Sequence, residues 1–207
     1  MRFTVRDLVY IAIFGAIWGA LEMTLGSYLH VIIPPPATPL IGAGTIMTAI
    51  GMVVALIGRL FVPKAGSVLM IGVVTAMLKA LSIGGVKLSP MIAIVIECLL
   101  AEAGLLLAGR PSRWGFVLAG SLAVLWTFFH KFLASYVFLG RGIYEVYVGM
   151  LRKGAQLLGV DGRYALVLIG IFPLVRIVMG GAAGWLAWGL GKVVQVRLAR
   201  VAGGRHE

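Results

Sequence analysis

Seven ionisable side chains lie inside long apolar stretches of this sequence, where a charge is expensive to bury. They are Glu22, Lys79, Glu97, Glu102, His130, Lys131 and Arg176. An ionisable group at mid-bilayer costs at least about 2.5 kcal/mol, so it usually faces a partner, water or a ligand. These residues are therefore the first candidates for a binding site.

Two groups among these residues suggest how a ligand could be held. Glu97 and Arg176 have opposite charge and similar predicted depth, so they form either a structural ion pair or part of a ligand site. Trp126 lies four residues before His130, on the same helical face. A stacking aromatic ring beside polar groups suits a flat heterocyclic ligand. The predicted ligand-contacting residues are Glu97, Trp126, His130, Lys131, Arg176 and Pro35.

Several catalytic signatures are missing from the sequence. It contains no H-E-x-x-H, G-x-S-x-G or Walker A motif. Three scattered histidines and the single Cys98 give no metal-ligand cluster and no nucleophile–base constellation. We therefore predict a protein that is not an enzyme and has no cofactor or metal. One alternative stays open, in which Glu97 and His130 act as an acid–base pair in a membrane-embedded enzyme or another class of carrier.

The elements that position these residues are predicted to be membrane helices. The chain is 61% hydrophobic and 12% charged, against about 25% charged residues in a soluble domain. A membrane helix needs about 20 mostly apolar residues, and long continuous runs favour helices over a barrel. Six runs qualify, at 6–28, 40–61, 65–84, 88–109, 114–139 and 164–191. The predicted fold is an all-α integral membrane protein, a single domain over 1–207 built as a bundle of six transmembrane helices.

The distribution of basic residues predicts the orientation of this bundle. An even number of spans puts both termini on one side. With the termini inside, ten basic residues lie on the inner side: Arg2, Arg6, Arg59, Lys64, Arg110, Arg113, Lys192, Arg197, Arg200 and Arg205. Five lie on the outer side: Lys87, Arg141, Arg152, Lys153 and Arg163. The positive-inside rule therefore predicts cytoplasmic termini in the cell membrane, and it explains much of the +11 charge without nucleic acid.

Three segments outside the spans have their own predictions. The uncharged break "PPPATP" at 34–39 interrupts the chain on the outer side, and we interpret it as a stiff lid, because proline has little conformational entropy to lose. Residues 140–163 are predicted to form an amphipathic connection on the outer surface. Residues 198–207 are predicted to be a flexible tail.

Small residues are regularly spaced in two spans. Ala12, Ala16 and Ala20 are four residues apart, with Gly15 and Gly19 beside them. Such a stripe lets another helix approach closely. The last span has a comparable set, Gly180, Ala183, Gly184 and Ala187, which serves either internal packing or a partner.

The sequence resembles the substrate-binding S components of energy-coupling-factor (ECF) vitamin transporters. The likeness lies in six spans within 207 residues, the small-residue stretch "AIFGAIWGA", the long uncharged first outer loop and "IVIECLLAEAG" in the fourth span. That last stretch is most similar to members associated with thiamine or its hydroxymethylpyrimidine precursor. The N-terminus "MRFTVRD" lacks the histidines of the cobalt and nickel members, which argues against a metal substrate.

The resemblance implies a function and a set of partners. An S component binds its vitamin near the outer face and associates with a transmembrane T component and two cytoplasmic ATPases. Family members dock the T component through an alanine stripe, which corresponds here to Ala12, Ala16 and Ala20. A third hypothesis is a membrane assembly or scaffold subunit, whose polar residues only lock the bundle and whose partner also docks on this stripe.

Overall fold

The computed structural model describes residues 2–33, 42–81, 88–139 and 165–203, together with scattered residues between 142 and 159. These residues form six helices and no strand. The helices are α1 (Val5–Ile32), α2 (Ala43–Phe61), α3 (Ser67–Ala80), α4 (Leu88–Leu107), α5 (Arg113–Leu139) and α6 (Ala165–Gly203). The all-helical prediction is confirmed for this part of the chain.

Local sequence sets where the best-defined helices begin. Thr4 and Asp7 form a capping box at the start of α1, in which the Asp7 carboxylate accepts from the Thr4 backbone N–H at 2.7 Å. Gly66 ends the short connector before α3 with a left-handed φ of 88°, a conformation that glycine adopts without steric cost. Both features fix helix starts at the same end of the bundle.

The six helices pack in a closed ring, and α2 is the member of the ring that contacts all the others. Around this ring α1 packs on α3, α3 on α4, α4 on α5, α5 on α6, α6 on α2 and α2 on α1. Helix α2 also contacts α3, α4 and α5, and 10 of its 19 residues are buried. It is the central helix of the bundle, and polar residues on it face the protein interior.

The two ends of the bundle differ in what they carry. We call the end where α1 begins and α6 ends the terminal end, and the opposite end, where α1, α3 and α5 end, the loop end. Ser89 of α4 contacts His130 of α5 near the loop end, whereas Gly104 of α4 lies against Ala119 of α5 toward the terminal end. Neighbouring contacts of this kind fix α4 and α5 as antiparallel.

The small residues of α6 serve internal packing. A Cβ atom at Gly180 would collide with the Gly120 carbonyl of α5, and one at Gly184 would collide with the Phe116 carbonyl. Ala183 and Ala187 are buried as well. This resolves the two interpretations of the α6 set in favour of a close α5–α6 approach.

Four described helices are long and apolar enough to cross a membrane: Val5–Gly26, Ala43–Phe61, Leu88–Leu107 and Gly170–Arg197. They indicate a membrane-embedded protein. Helix α3 has 14 residues and is only about 21 Å long, shorter than the hydrocarbon core of about 30 Å. Six complete spans and the orientation of the termini stay predictions.

The helix ends differ from the predicted spans mainly at α6. This helix continues to Gly203, past the predicted limit at 191 and into the predicted tail at 198–207, because residues 192–202 contain no glycine or proline. Its 39 residues correspond to a length of about 58 Å. Pro34–Pro39 and most of the 140–163 connection lie outside the described residues.

Candidate functional site

Three threonines form hydrogen bonds around two buried ionisable residues, Glu97 and Arg176. The Thr48 hydroxyl lies 3.0 Å from Oε1 of Glu97. The Arg176 guanidinium donates through Nε to the Thr127 hydroxyl at 3.2 Å, and Thr127 lies 3.3 Å from the hydroxyl of Thr45. We call these five residues the polar cluster; it joins α2, α4, α5 and α6.

Burial of this cluster is nearly complete. Glu97 is 4% exposed and Arg176 is 0% exposed. Arg176 also donates to the Phe172 carbonyl at 2.9 Å, and its guanidinium carbon lies 5.6 Å from the centre of the Phe128 ring. The predicted direct pair with Glu97 is not among the ion pairs of the described residues. Each partner of that predicted pair is bonded to a threonine instead.

The second group of predicted residues lies on α5, immediately beside Thr127. The rings of Trp126 and His130 are 6.2 Å apart, with an interplanar angle of 51°. His130 Nε2 lies 3.0 Å from the Ser89 hydroxyl of α4. The remaining ring nitrogens, Trp126 Nε1 and His130 Nδ1, are both buried without a hydrogen-bond partner in the described structure.

These two nitrogens are energetically unusual. A buried polar group without a partner costs about 1–3 kcal/mol. The indole nitrogen can only donate a hydrogen bond. Ser89 can donate to or accept from His130 Nε2, so Nδ1 can act as a donor or as an acceptor. One helical face therefore presents a fixed donor and an adaptable second group, both with unused hydrogen-bonding capacity.

The described residues contain two other buried polar atoms without a partner, and these two lie apart from each other. Trp18 Nε1 is sealed between α1 and the backbone of Gly51. Glu102 Oε2 lies toward the terminal end, while the other oxygen of the same carboxylate accepts from the Val68 backbone N–H at 2.7 Å and lies 3.9 Å from Arg59. The structure gives Glu102 a structural role at the start of α3, where a carboxylate is favourable.

Glu22 and Lys79 form an ion pair between α1 and α3. Lys79 Nζ lies 3.0 Å from Glu22 Oε2 and donates to the Glu22 carbonyl at 3.1 Å. Their side chains are only 12% and 15% exposed. This pair accounts for both charges without a ligand.

The remaining predicted residues fall into two groups. Ala12, Ala16 and Ala20 are exposed on the outer face of α1, whereas Gly15 and Gly19 face α3, against Val74 and Leu78. The Lys131 side chain and Pro35 lie outside the described residues.

Sequence reasoning missed the hydroxyl groups. Thr45, Thr48, Thr127 and Ser89 supply the partners of the predicted ionisable residues. A signal existed, since Thr45 and Thr48 are three residues apart in the otherwise apolar stretch "GAGTIMTAIGM". That spacing places both hydroxyls on one helical face.

Glu97 and His130 have different hydrogen-bond partners. Glu97 is bonded to Thr48 and His130 to Ser89, so these described contacts assemble no shared acid–base pair. No group of three or more His, Cys, Asp or Glu side chains that could hold a metal occurs in the described part of the chain. The arrangement is suited to hydrogen bonding and ring stacking.

Comparison of the chain with protein-family models, with curated proteins and with solved structures finds no match.

Proposed function

We propose that this protein is the substrate-binding S component of an ECF-type uptake transporter for a vitamin or vitamin precursor. In this proposal all six helices span the cell membrane and both termini are cytoplasmic. The observation that carries it is the pair of buried nitrogens on one face of α5, Trp126 Nε1 and His130 Nδ1, for which the described part of the chain supplies no hydrogen-bond partner. A heterocyclic ligand that supplies the missing hydrogen-bond partners removes the cost of burying these nitrogens, and this favours ligand binding.

Each predicted residue has a role in this proposal. Trp126 donates one hydrogen bond to the ligand from the edge of its indole ring, and His130 donates or accepts another. Glu97 orients a polar or cationic ring substituent through Oε2, the oxygen that Thr48 does not contact. Arg176 and Lys131 complete the proposed set of contacts, and Pro35 belongs to the lid. Because both nitrogens are covered by protein, a ligand can reach them only if the helices move apart at the loop end.

The partner surface is proposed on α1. Ala12, Ala16 and Ala20 point away from the bundle, and Ile13 and Ile17 beside them are 47% and 46% exposed. A stripe of small residues between larger apolar ones allows close helix approach in lipid. A transmembrane T component, itself bound to two ATPases, is the proposed occupant.

Ligand-induced thermal stabilisation tests the binding function. The purified full chain is heated with each member of a vitamin panel that includes thiamine and its pyrimidine precursor. A bound ligand at about 100 times its Kd stabilises a protein by about 2.7 kcal/mol, so one panel member is expected to raise the Tm by several degrees. A panel without any shift, combined with a shift for substrates of another transporter type, contradicts the proposal.

A scaffold subunit is the second candidate, and the polar cluster favours it. Inside the bundle Thr48 donates to Glu97 and Arg176 donates to Thr127, as expected of residues that only lock helices together. This candidate predicts that no small molecule binds, while a membrane partner is still captured through α1.

A further inference from the structure

Tryptophans and cations are combined at the terminal end of α5 and α6. The guanidinium carbon of Arg113 lies 4.1 Å from the centre of the Trp185 ring, and the Trp114 ring packs edge-on against Trp185 at 6.2 Å. One turn farther along α6, Lys192 Nζ lies 4.9 Å from the centre of the Trp188 ring. We call these five residues the aromatic–basic patch.

One side of the aromatic–basic patch packs on the protein core, and its other side is exposed. Trp188 packs edge-on against the buried Phe116 at 5.1 Å. Trp114 is 73% and Trp185 is 45% exposed, and both Arg113 and Lys192 are exposed. The rings therefore hold two cations at a fixed place on the protein surface, where an external group can reach them.

Among the described residues, no acidic side chain forms an ion pair with these cations. The sequence contains no Asp or Glu from residue 103 to 144 or from 162 to 206. The ion pairs of the described residues involve Arg59, Lys64 and Lys79 and leave out the patch. Three further basic residues lie nearby in sequence and are exposed: Arg110, Arg197 and Arg200. The surface thus has an uncompensated positive charge.

The apolar surroundings indicate where this charge lies. Toward the middle of the bundle the patch continues into exposed apolar side chains, which include Leu118 of α5 and Leu174 and Val178 of α6. Exposed tryptophans at such a border are typical of the headgroup level of a bilayer. Clustered basic residues next to a membrane helix attract anionic lipid.

We propose that the aromatic–basic patch binds the phosphate headgroup of an anionic phospholipid between Arg113 and Lys192. The lipid tails then cover the leucines of α5 and α6. Lipid is favoured over an acidic protein because the patch is continuous with the apolar surface that faces the bilayer. The inference depends on membrane embedding alone and is independent of the proposed transport function.

Quenching of tryptophan fluorescence by brominated lipids tests this site. The full chain is reconstituted in phosphatidylcholine bilayers that contain an increasing share of brominated phosphatidylglycerol, and separately of brominated phosphatidylcholine. The exposed Trp114 and Trp185 report on lipid at the patch. The wild-type protein is expected to prefer phosphatidylglycerol, and high salt is expected to weaken this preference.

Two double variants locate the preference. R113Q/K192Q removes both patch cations and is expected to weaken phosphatidylglycerol binding by up to about 30-fold, at the typical worth of two basic residues near an anionic surface. R2Q/R152Q removes the same charge from exposed residues elsewhere and is expected to retain the preference. Equal quenching by both lipids in the wild type, or equal loss in both double variants, overturns the proposal. The wild-type arm stands even where a variant fails to fold. Absence of any lipid preference in it points to an acidic protein partner instead.

Discussion

The Thr48 hydroxyl lies between two oxygen atoms, 3.0 Å from Oε1 of Glu97 and 2.9 Å from the Gly44 carbonyl of its own helix. A hydroxyl has one hydrogen to donate. It therefore cannot satisfy an ionised Glu97 and the carbonyl fully at the same time. This contact ties the central helix to α4 inside the bundle.

Replacing Thr48 by valine is expected to destabilise the bundle. The valine keeps the shape of the side chain but leaves Glu97 buried without its hydroxyl partner, at a cost of about 1–3 kcal/mol. Thermal unfolding of the purified protein in detergent measures the effect, and Thr48→Ser is expected to restore most of the loss. Thr24→Val is the matched control, since the Thr24 hydroxyl bonds only to its own helix at Ala20. Equal stability of both valine variants would contradict a structural role of the contact.

Glu97→Gln is expected to separate the charge of Glu97 from its hydrogen bonds. The glutamine amide can donate to Thr48 or accept from it. The Tm of the Glu97→Gln variant is therefore expected to stay close to that of the wild type. Glu97→Leu removes both options and is expected to lower the Tm. If Glu97 also contacts a cationic ring substituent, Glu97→Gln weakens ligand binding while stability is retained. A large loss of stability in Glu97→Gln would show that the bundle requires the charge.

Two glycines of α6 provide a matched test of the α5–α6 contact. A methyl group at Gly180 collides with the α5 backbone, whereas one at Gly189 meets no atom within 4 Å. Gly180→Ala is expected to cost about 1–3 kcal/mol by overpacking. Gly189→Ala is expected to be neutral or to stabilise by up to about 1 kcal/mol, because alanine is the better helix former. Unfolding measurements in detergent compare the two variants, and the same Tm for both would refute the close approach.

Trp126→Phe is expected to affect ligand binding more than folding. Phenylalanine keeps an aromatic ring but removes an N–H group that has no hydrogen-bond partner among the described residues, so the Tm without ligand is expected to stay the same or rise. Ligand affinity is expected to fall about tenfold, the value of one hydrogen bond of about 1.4 kcal/mol. The control is Trp185→Phe, which lies at the opposite end of the bundle. Unchanged affinity in Trp126→Phe would remove this residue from the proposed site.

Ala16→Trp distinguishes the two candidate functions. The bulky ring blocks the small-residue stripe of α1, so capture of the membrane partner is expected to fail. An S component keeps its ligand affinity in this variant, whereas a scaffold subunit has no ligand in either form. Ala182→Trp places the same side chain on an exposed position of α6 and is expected to leave partner capture intact. Pull-down from membranes and thermal stabilisation by ligand are the two measurements.

The sequence was sufficient to predict the helices, because their signal is local. Long apolar runs predicted all six elements, and the largest error lies at the end of α6, where "KVVQVRLARV" contains no helix breaker. The partners of the buried charged residues could not be predicted in this way. Glu97 and Arg176 were correctly identified as buried, but their partners depend on the rotation of four helices, which no local pattern specifies.

The small residues were likewise predicted from local sequence, but their role depends on contacts between helices. Spacing alone could not tell an internal packing set from an external one, since both place glycine or alanine every four residues. Contacts between helices decided the matter: Gly180 and Gly184 face α5, while Ala12 and Ala16 face outward.

The central position of α2 has a consequence for how the protein is made. This helix leaves the ribosome second, yet its neighbours include α4, α5 and α6, the last of which emerges more than 100 residues later. At about 5–20 residues per second, synthesis leaves the threonine face of α2 unmatched for many seconds. A nascent chain that stops after α5 lacks Arg176, which donates to Thr127 beside Thr45 of α2. The contacts of α2 are therefore complete only once the last helix has been synthesised.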